Sequence, residues 1–121
     1  MSKILIIEDE PAIKKAIMEA LGQEGFEVEG AVDASQAESL IQSFQPDLIL
    51  LDLVLPGKNG FQFLKEIKES EKTKKIPVVI LSNLGDEEEV QQGLKLGAID
   101  FLIKADYDLD EVVEIIKKYL K

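Results

Sequence analysis

The sequence contains no cysteine, no histidine, no tryptophan and no arginine; all 14 of its basic residues are lysines. Each absence removes a class of chemistry. Without cysteine there is no disulfide framework, no thiol nucleophile and no thiolate metal site. Without histidine, a Ser-His-Asp triad, a His-ligated zinc and a phosphohistidine on this chain are all excluded. No apolar run approaches the roughly 20 residues of a membrane-spanning helix. The opening Met1-Ser2-Lys3-Ile4 is too short and too soon acidic for a signal peptide. The expected location is cytoplasmic, with no membrane insertion.

Carboxylate is what the chain has in excess. Its 24 Asp and Glu against 14 Lys give a formal charge of −10 over 121 residues. A phosphate backbone demands a basic footprint, so direct nucleic-acid binding is not expected. The apolar fraction of 45% is that of a globular protein, too high for a disordered acidic tail. With no repeat and no linker-like stretch, residues 1–121 read as one domain. Chemistry must come from carboxylates, lysines, hydroxyls and backbone amides.

Hydrophobic patterning supplies the organisation. Ile4-Leu5-Ile6-Ile7, Leu48-Ile49-Leu50-Leu51 and Val78-Val79-Ile80-Leu81 are short, wholly apolar runs, as in strands buried on both faces. Phe26 to Ala31 alternates as a strand, and Ile99 to Ile103 reads as a fifth. Between them lie helical patterns. Pro11 opens one carrying Ile13, Ile17, Ala20 and Leu21, with Gly25 just past its end. Asp33 caps a second, carrying Ala37, Leu40, Ile41 and Phe44 and closed by Pro46. Phe61, Leu64 and Ile67 mark the face of a third. Asp86 caps an acidic fourth, interrupted by Gly93 and stopped by Gly97. The last carries Leu109, Val112, Val113, Ile116 and Leu120. This fivefold alternation predicts an α/β fold, a doubly wound parallel sheet with helices on both faces.

Such sheets bind ligands beyond the carboxyl ends of their strands. Here those ends carry Glu8 and Asp9, then Asp52, then Ser82, then Lys104. Clustered carboxylates repel unless a cation sits among them, and an all-oxygen donor set suits a hard ion such as Mg²⁺. A lysine and a hydroxyl facing that ion suit a phosphoryl group. Each residue alone has a plainer reading. The acidic pair complements a helix dipole, Asp52 starts a loop, Ser82 caps a helix and Lys104 is a surface amine. Their coincidence at four strand ends is what gives the pattern weight.

The same segments resemble those of a known family. Ile4-Leu5-Ile6-Ile7-Glu8-Asp9-Glu10-Pro11, Leu50-Leu51-Asp52-Leu53-Val54-Leu55-Pro56-Gly57-Lys58-Asn59-Gly60, Val79-Ile80-Leu81-Ser82 and Gly97-Ala98-Ile99-Asp100-Phe101-Leu102-Ile103-Lys104 are similar to the motifs of receiver domains of two-component response regulators. The resemblance covers the whole chain. It implies a flavodoxin-like sheet of order 2-1-3-4-5 with five helices. It also implies that Asp52 accepts a phosphoryl group from a partner histidine kinase or phosphotransfer protein. Asp9, Asp52 and the Val54 backbone carbonyl would ligate Mg²⁺, with Glu8 acting through water. Lys104 and Ser82 would hold the phosphoryl oxygens, and Phe101 would be the switch aromatic. A downstream protein target would read the surface of the fourth helix, fifth strand and fifth helix. The main role would be signalling, with the chain catalysing its own phosphorylation and dephosphorylation. Val54 and Leu84 occupy the positions that influence water attack, and neither can orient water by hydrogen bonding.

Three residues depart from the family pattern. Ala105 follows Lys104 where a cis proline is usual, so either a strained cis bond is kept or the loop takes another path. Asn83 replaces a small residue after the hydroxyl and would narrow the entrance. Phe101 lacks the hydroxyl of the alternative tyrosine. None removes a reactive group. Two other functions compete on this architecture. A flavodoxin-like carrier would need a hydroxyl- and glycine-rich loop after the first strand, where Glu8, Asp9 and Glu10 would repel a flavin phosphate. A phosphorylation-independent interaction module would not need all five site positions filled with competent residues.

Overall fold

Sheet and helices alternate along the chain as the hydrophobic patterning predicts. The computed structural model describes residues 2–120. In chain order the elements are β1 (Lys3–Ile7), α1 (Pro11–Gln23), β2 (Glu27–Ala31), α2 (Ala34–Phe44), β3 (Leu48–Leu51), α3 (Gly60–Glu69), β4 (Val78–Ser82), α4 (Glu87–Lys95), β5 (Asp100–Ile103) and α5 (Leu109–Tyr119). A short 3₁₀ turn, Lys104–Asp106, separates β5 from α5. All strand pairs are parallel, in the order β2-β1-β3-β4-β5.

Period-two alternation splits the core across the sheet. Leu5, Ile7, Ile49, Leu51, Val78, Ile80 and Phe101 point to one side, where they pack with Ala37 of α2 and Phe63, Leu64 and Ile67 of α3. Ile4, Ile6, Leu48, Leu50, Val79, Leu81 and Leu102 point to the other, against Ile17 and Leu21 of α1 and Val112, Val113 and Ile116 of α5. The three central strands are thus buried on both faces, which is why their sequences are continuous apolar runs rather than alternating ones.

Helix ends follow local chemistry. Pro11 occupies the first turn of α1, where its missing N–H costs nothing. The Asp33 carboxylate accepts from the Gln36 N–H at 2.8 Å and starts α2. Asp86 with Glu89, and Asp108 with Glu111, form reciprocal capping boxes on α4 and α5.

Three details differ from the sequence reading. The α3 face that meets the sheet centres on Phe63, only 1% exposed, whereas Phe61 is half-buried. Ile99 precedes β5 rather than opening it, and is 40% exposed. The Lys104–Ala105 peptide is trans, so of the two courses open to this loop the chain takes the second, coiling into the 3₁₀ turn. Phe63→Ala should cost about 3–5 kcal/mol in chemical denaturation. Phe61→Ala should cost less than half of that, and the reverse ranking would move the core face of α3.

Candidate functional site

Parallel register aligns the strand ends that carry the candidate residues. Ile7 pairs with Leu51 and Ser82 with Ile103, so Glu8 and Asp52 leave the sheet side by side and Lys104 follows directly beyond Ser82's partner. The ladder runs one residue further on each of two strands. The Glu8 N–H donates to the Ala31 carbonyl at 2.9 Å and the Asp52 N–H to the Ile7 carbonyl at 3.0 Å. These bonds fix both backbones before any side chain is placed.

The side chains then converge. Glu8, Asp52 and Ser82 are the buried polar residues of the described chain. Asp52 Oδ1 accepts from the Ser82 hydroxyl at 2.9 Å and from the Val54 N–H at 3.1 Å. The Lys104 ammonium lies 3.0 Å from Asp52 Oδ2 and 2.5 Å from Glu8 Oε1. Glu8 Oε2 accepts from the Glu10 N–H at 3.2 Å, and the Ser82 oxygen accepts from the Leu84 N–H at 3.3 Å. Asp9 is exposed at the rim, and carboxylate oxygens of Glu8, Asp9 and Asp52 lie within 4.8 Å of one another. Asn83 is exposed beside the site, as is the Val54 side chain.

One ammonium against three carboxylates leaves this pocket short of positive charge. Burial pushes the Glu8 carboxyl up to about 7, more than the hydrogen bond from Lys104 takes back, and the neighbouring Asp52 charge adds to the rise. Burial pulls the Lys104 ammonium down, but its bonds to Glu8 and Asp52 outweigh this and its pKa ends above the ordinary lysine value. Oxygen donors of this number and charge fit a hard divalent cation.

All five sequence candidates at the strand ends therefore meet. The direct ion pair of Glu8 with Lys104 was not legible, because nothing in a linear sequence ties positions 96 residues apart. Phe101 is 9% exposed and faces α4, where a Cβ on Gly93 would lie 3.0 Å from the ring and 2.7 Å from Ile80 Cδ1. Gly93 is thus not a mere interruption of the α4 stripe: it is buried, and its missing side chain makes room for the ring.

A doubly wound sheet with an acidic pocket, a half-buried lysine and a hydroxyl at its carboxyl edge defines a protein built to handle phosphoryl groups. The sequence matches the response regulator receiver domain over residues 4–117, and the chain belongs to that family. It is 40% identical over 119 residues to the phosphate regulon transcriptional regulatory protein PhoB of Escherichia coli, covering 98% of this chain and 52% of PhoB. It is 34% identical to sporulation initiation phosphotransferase F of Bacillus subtilis, covering 98% and 93% of the two chains. The structure of the non-phosphorylated HemR receiver domain from Leptospira biflexa superposes with a TM-score of 0.89 at 32% identity, over 98% of this chain and 93% of that one. The chain spans about half the length of the transcriptional regulators it matches. No helix among the described residues is long and apolar enough to cross a membrane.

The Glu8 shift gives a pH test. A carboxyl raised from 4.5 to about 7 contributes stability that is complete below 4.5 and lost as pH rises through 7. A divalent cation favours the charged form. Stabilisation of the thermal midpoint by MgCl₂ should therefore be larger near pH 8 than near pH 5.5. An equal shift at both would show that Glu8 does not titrate there.

Proposed function

We propose that Asp52 is the phosphoacceptor of this receiver and that the chain takes its phosphoryl group from the phosphohistidine of a partner kinase or phosphotransfer protein in the cytoplasm. The observation that carries this reading is Asp52 itself: a buried carboxylate held by Ser82, Val54 and Lys104 at the meeting point of the strand ends. Asp9, Asp52 and the Val54 carbonyl would hold Mg²⁺, with Glu8 in its outer shell. Bound there, the ion supplies charge neutralisation for the incoming phosphoryl oxygens.

The chain's own groups do the rest. An Asp52 oxygen forms the new O–P bond as the donor's N–P bond breaks, so the leaving imidazole keeps the electron pair. Lys104 shifts its ammonium from the free carboxylate to the transferred oxygens, as a compact point charge that can pivot. Ser82 already points its hydroxyl at Asp52 and donates to the phosphoryl group from there. Little covalent work is asked of the protein beyond this positioning. Ser82 stands inward and Phe101 is buried, the arrangement a bound phosphoryl group would favour by drawing the hydroxyl toward itself and freeing space beside α4 for the ring. Phosphorylation would hold α4, β5 and α5 in that arrangement for a downstream protein target.

Incubation with a small phosphodonor and Mg²⁺ should add one phosphoryl mass to the wild type and none to Asp52→Asn. Equal incorporation by both would overturn the assignment. If neither took up phosphoryl, an interaction module that works without phosphorylation would be the better reading.

Lifetime follows from the mouth of the site. Val54 is 53% exposed there and has no polar group to orient attacking water. Val54→Asn should shorten the acylphosphate lifetime, measured by loss of the phosphoryl mass after donor removal. An unchanged lifetime would place the attacking water elsewhere.

A further inference from the structure

The loop between β4 and α4 lies directly on the strand that carries Lys104. Its contact point is Gly85. A Cβ built there would stand 2.6 Å from Ile103 Cδ1 and nearer still to Cγ1, well inside the roughly 3.5–4.0 Å of a carbon–carbon contact. Ile103 is β-branched and stiff about χ1, so it cannot simply swing aside. The main chain at Gly85 therefore rests on Ile103 only because residue 85 has no side chain.

Both neighbours of this contact lead into the reacting site. Ile103 is the cross-strand partner of Ser82, and the next residue in the chain is Lys104. On the loop side, the residue before Gly85 is Leu84, whose N–H donates to the Ser82 hydroxyl oxygen at 3.3 Å. That bond orients the hydroxyl, whose proton then goes to Asp52 Oδ1. Ser82 and Lys104 grip opposite oxygens of Asp52, so the distance between them must match one phosphoryl group.

We propose that the Gly85–Ile103 contact is a positioning device for phosphoryl transfer, in which Ile103 sets the height of the β4–α4 loop and thereby the placement of the Ser82 hydroxyl relative to the Lys104 ammonium. This rests on Asp52 being the phosphoacceptor. Raising the loop by one methyl group removes no reacting side chain but shifts the Ser82 hydroxyl out of register with the Lys104 ammonium. The carboxylates that would hold the metal follow β1 and β3 and keep their own backbone bonds to Ala31 and Ile7.

The test is a size swap read by the rate of phosphorylation from a small phosphodonor at saturating Mg²⁺. Gly85→Ala should slow incorporation about tenfold or more, with unchanged Mg²⁺ affinity. Adding Ile103→Ala to it should restore the rate, since the new methyl then occupies space that Ile103 has vacated. Gly30→Ala is the control for a milder clash: a Cβ there meets Met18 Sδ at 2.8 Å, on the flexible side chain of an α1 residue, and should leave the rate at wild type. A Gly85→Ala protein that reacts at the wild-type rate overturns the proposal, as does one whose rate Ile103→Ala fails to restore. Should Gly85→Ala alone not fold, the double variant must react faster than Ile103→Ala alone, and a rate no higher overturns it. Failure of the phosphoacceptor assignment looks different, because wild type and Asp52→Asn would then behave alike.

Discussion

A single lysine ammonium, held between two buried carboxylates that follow different strands, is the constraint around which the carboxyl edge of this sheet is arranged. Lys104 comes from the end of β5, Glu8 from β1 and Asp52 from β3. The Lys104 and Asp52 side chains are 12% and 6% exposed, so their charges have little water to fall back on. Removing one partner of such a group leaves an uncompensated buried charge, which is far more costly than the pair itself is stabilising. The loops after these strands must therefore deliver their side chains together. The pair is also unsuited to permanence, because a lysine, unlike an arginine fork, commits to no fixed bidentate geometry and can exchange one anionic partner for another.

The architecture was legible because its signals are redundant. Three apolar runs too short for helices, each followed by a polar residue with chemistry to offer, specify both the buried strands and the edge where function collects. Asp33, Asp86 and Pro11 announced helix starts that the structure keeps. What failed was finer. Phe61 and Phe63 are two residues apart on a helix, and both satisfy an apolar count, so only the angle at which α3 meets the sheet decides which is buried. Ile99 carries the composition of a strand residue and its N–H donates to the Val78 carbonyl at 2.8 Å, yet the paired strand begins only at Asp100. The 3₁₀ turn after Lys104 has no hydrophobic period to reveal it.

The site shows the same division. Residue types and their strand-end positions were readable in the chain, since parallel topology alone brings them to one edge. Their pairing was not. That Lys104 bonds Glu8 as well as Asp52, and that backbone N–H groups of Val54, Leu84 and Glu10 complete the set, depends on loop geometry no pattern encodes. Glycine hides its role in the same way. In a sequence Gly93 weakens a helix, while in the fold it is the reason α4 can approach the sheet beside Phe101.

The division of the core by the sheet has a bearing on how such a molecule can diverge. Phe101 belongs to the compartment beneath α2, α3 and α4, whereas its neighbour Leu102 belongs to the one beneath α1 and α5. The buried side chains form one cluster on each face of the sheet, and substitutions without shared partners act independently. A mutation that loosens packing under α1 is thus insulated from the aromatic ring on the far side. Surfaces on the two sides of this sheet can drift under separate selection, while the strand ends between them stay fixed.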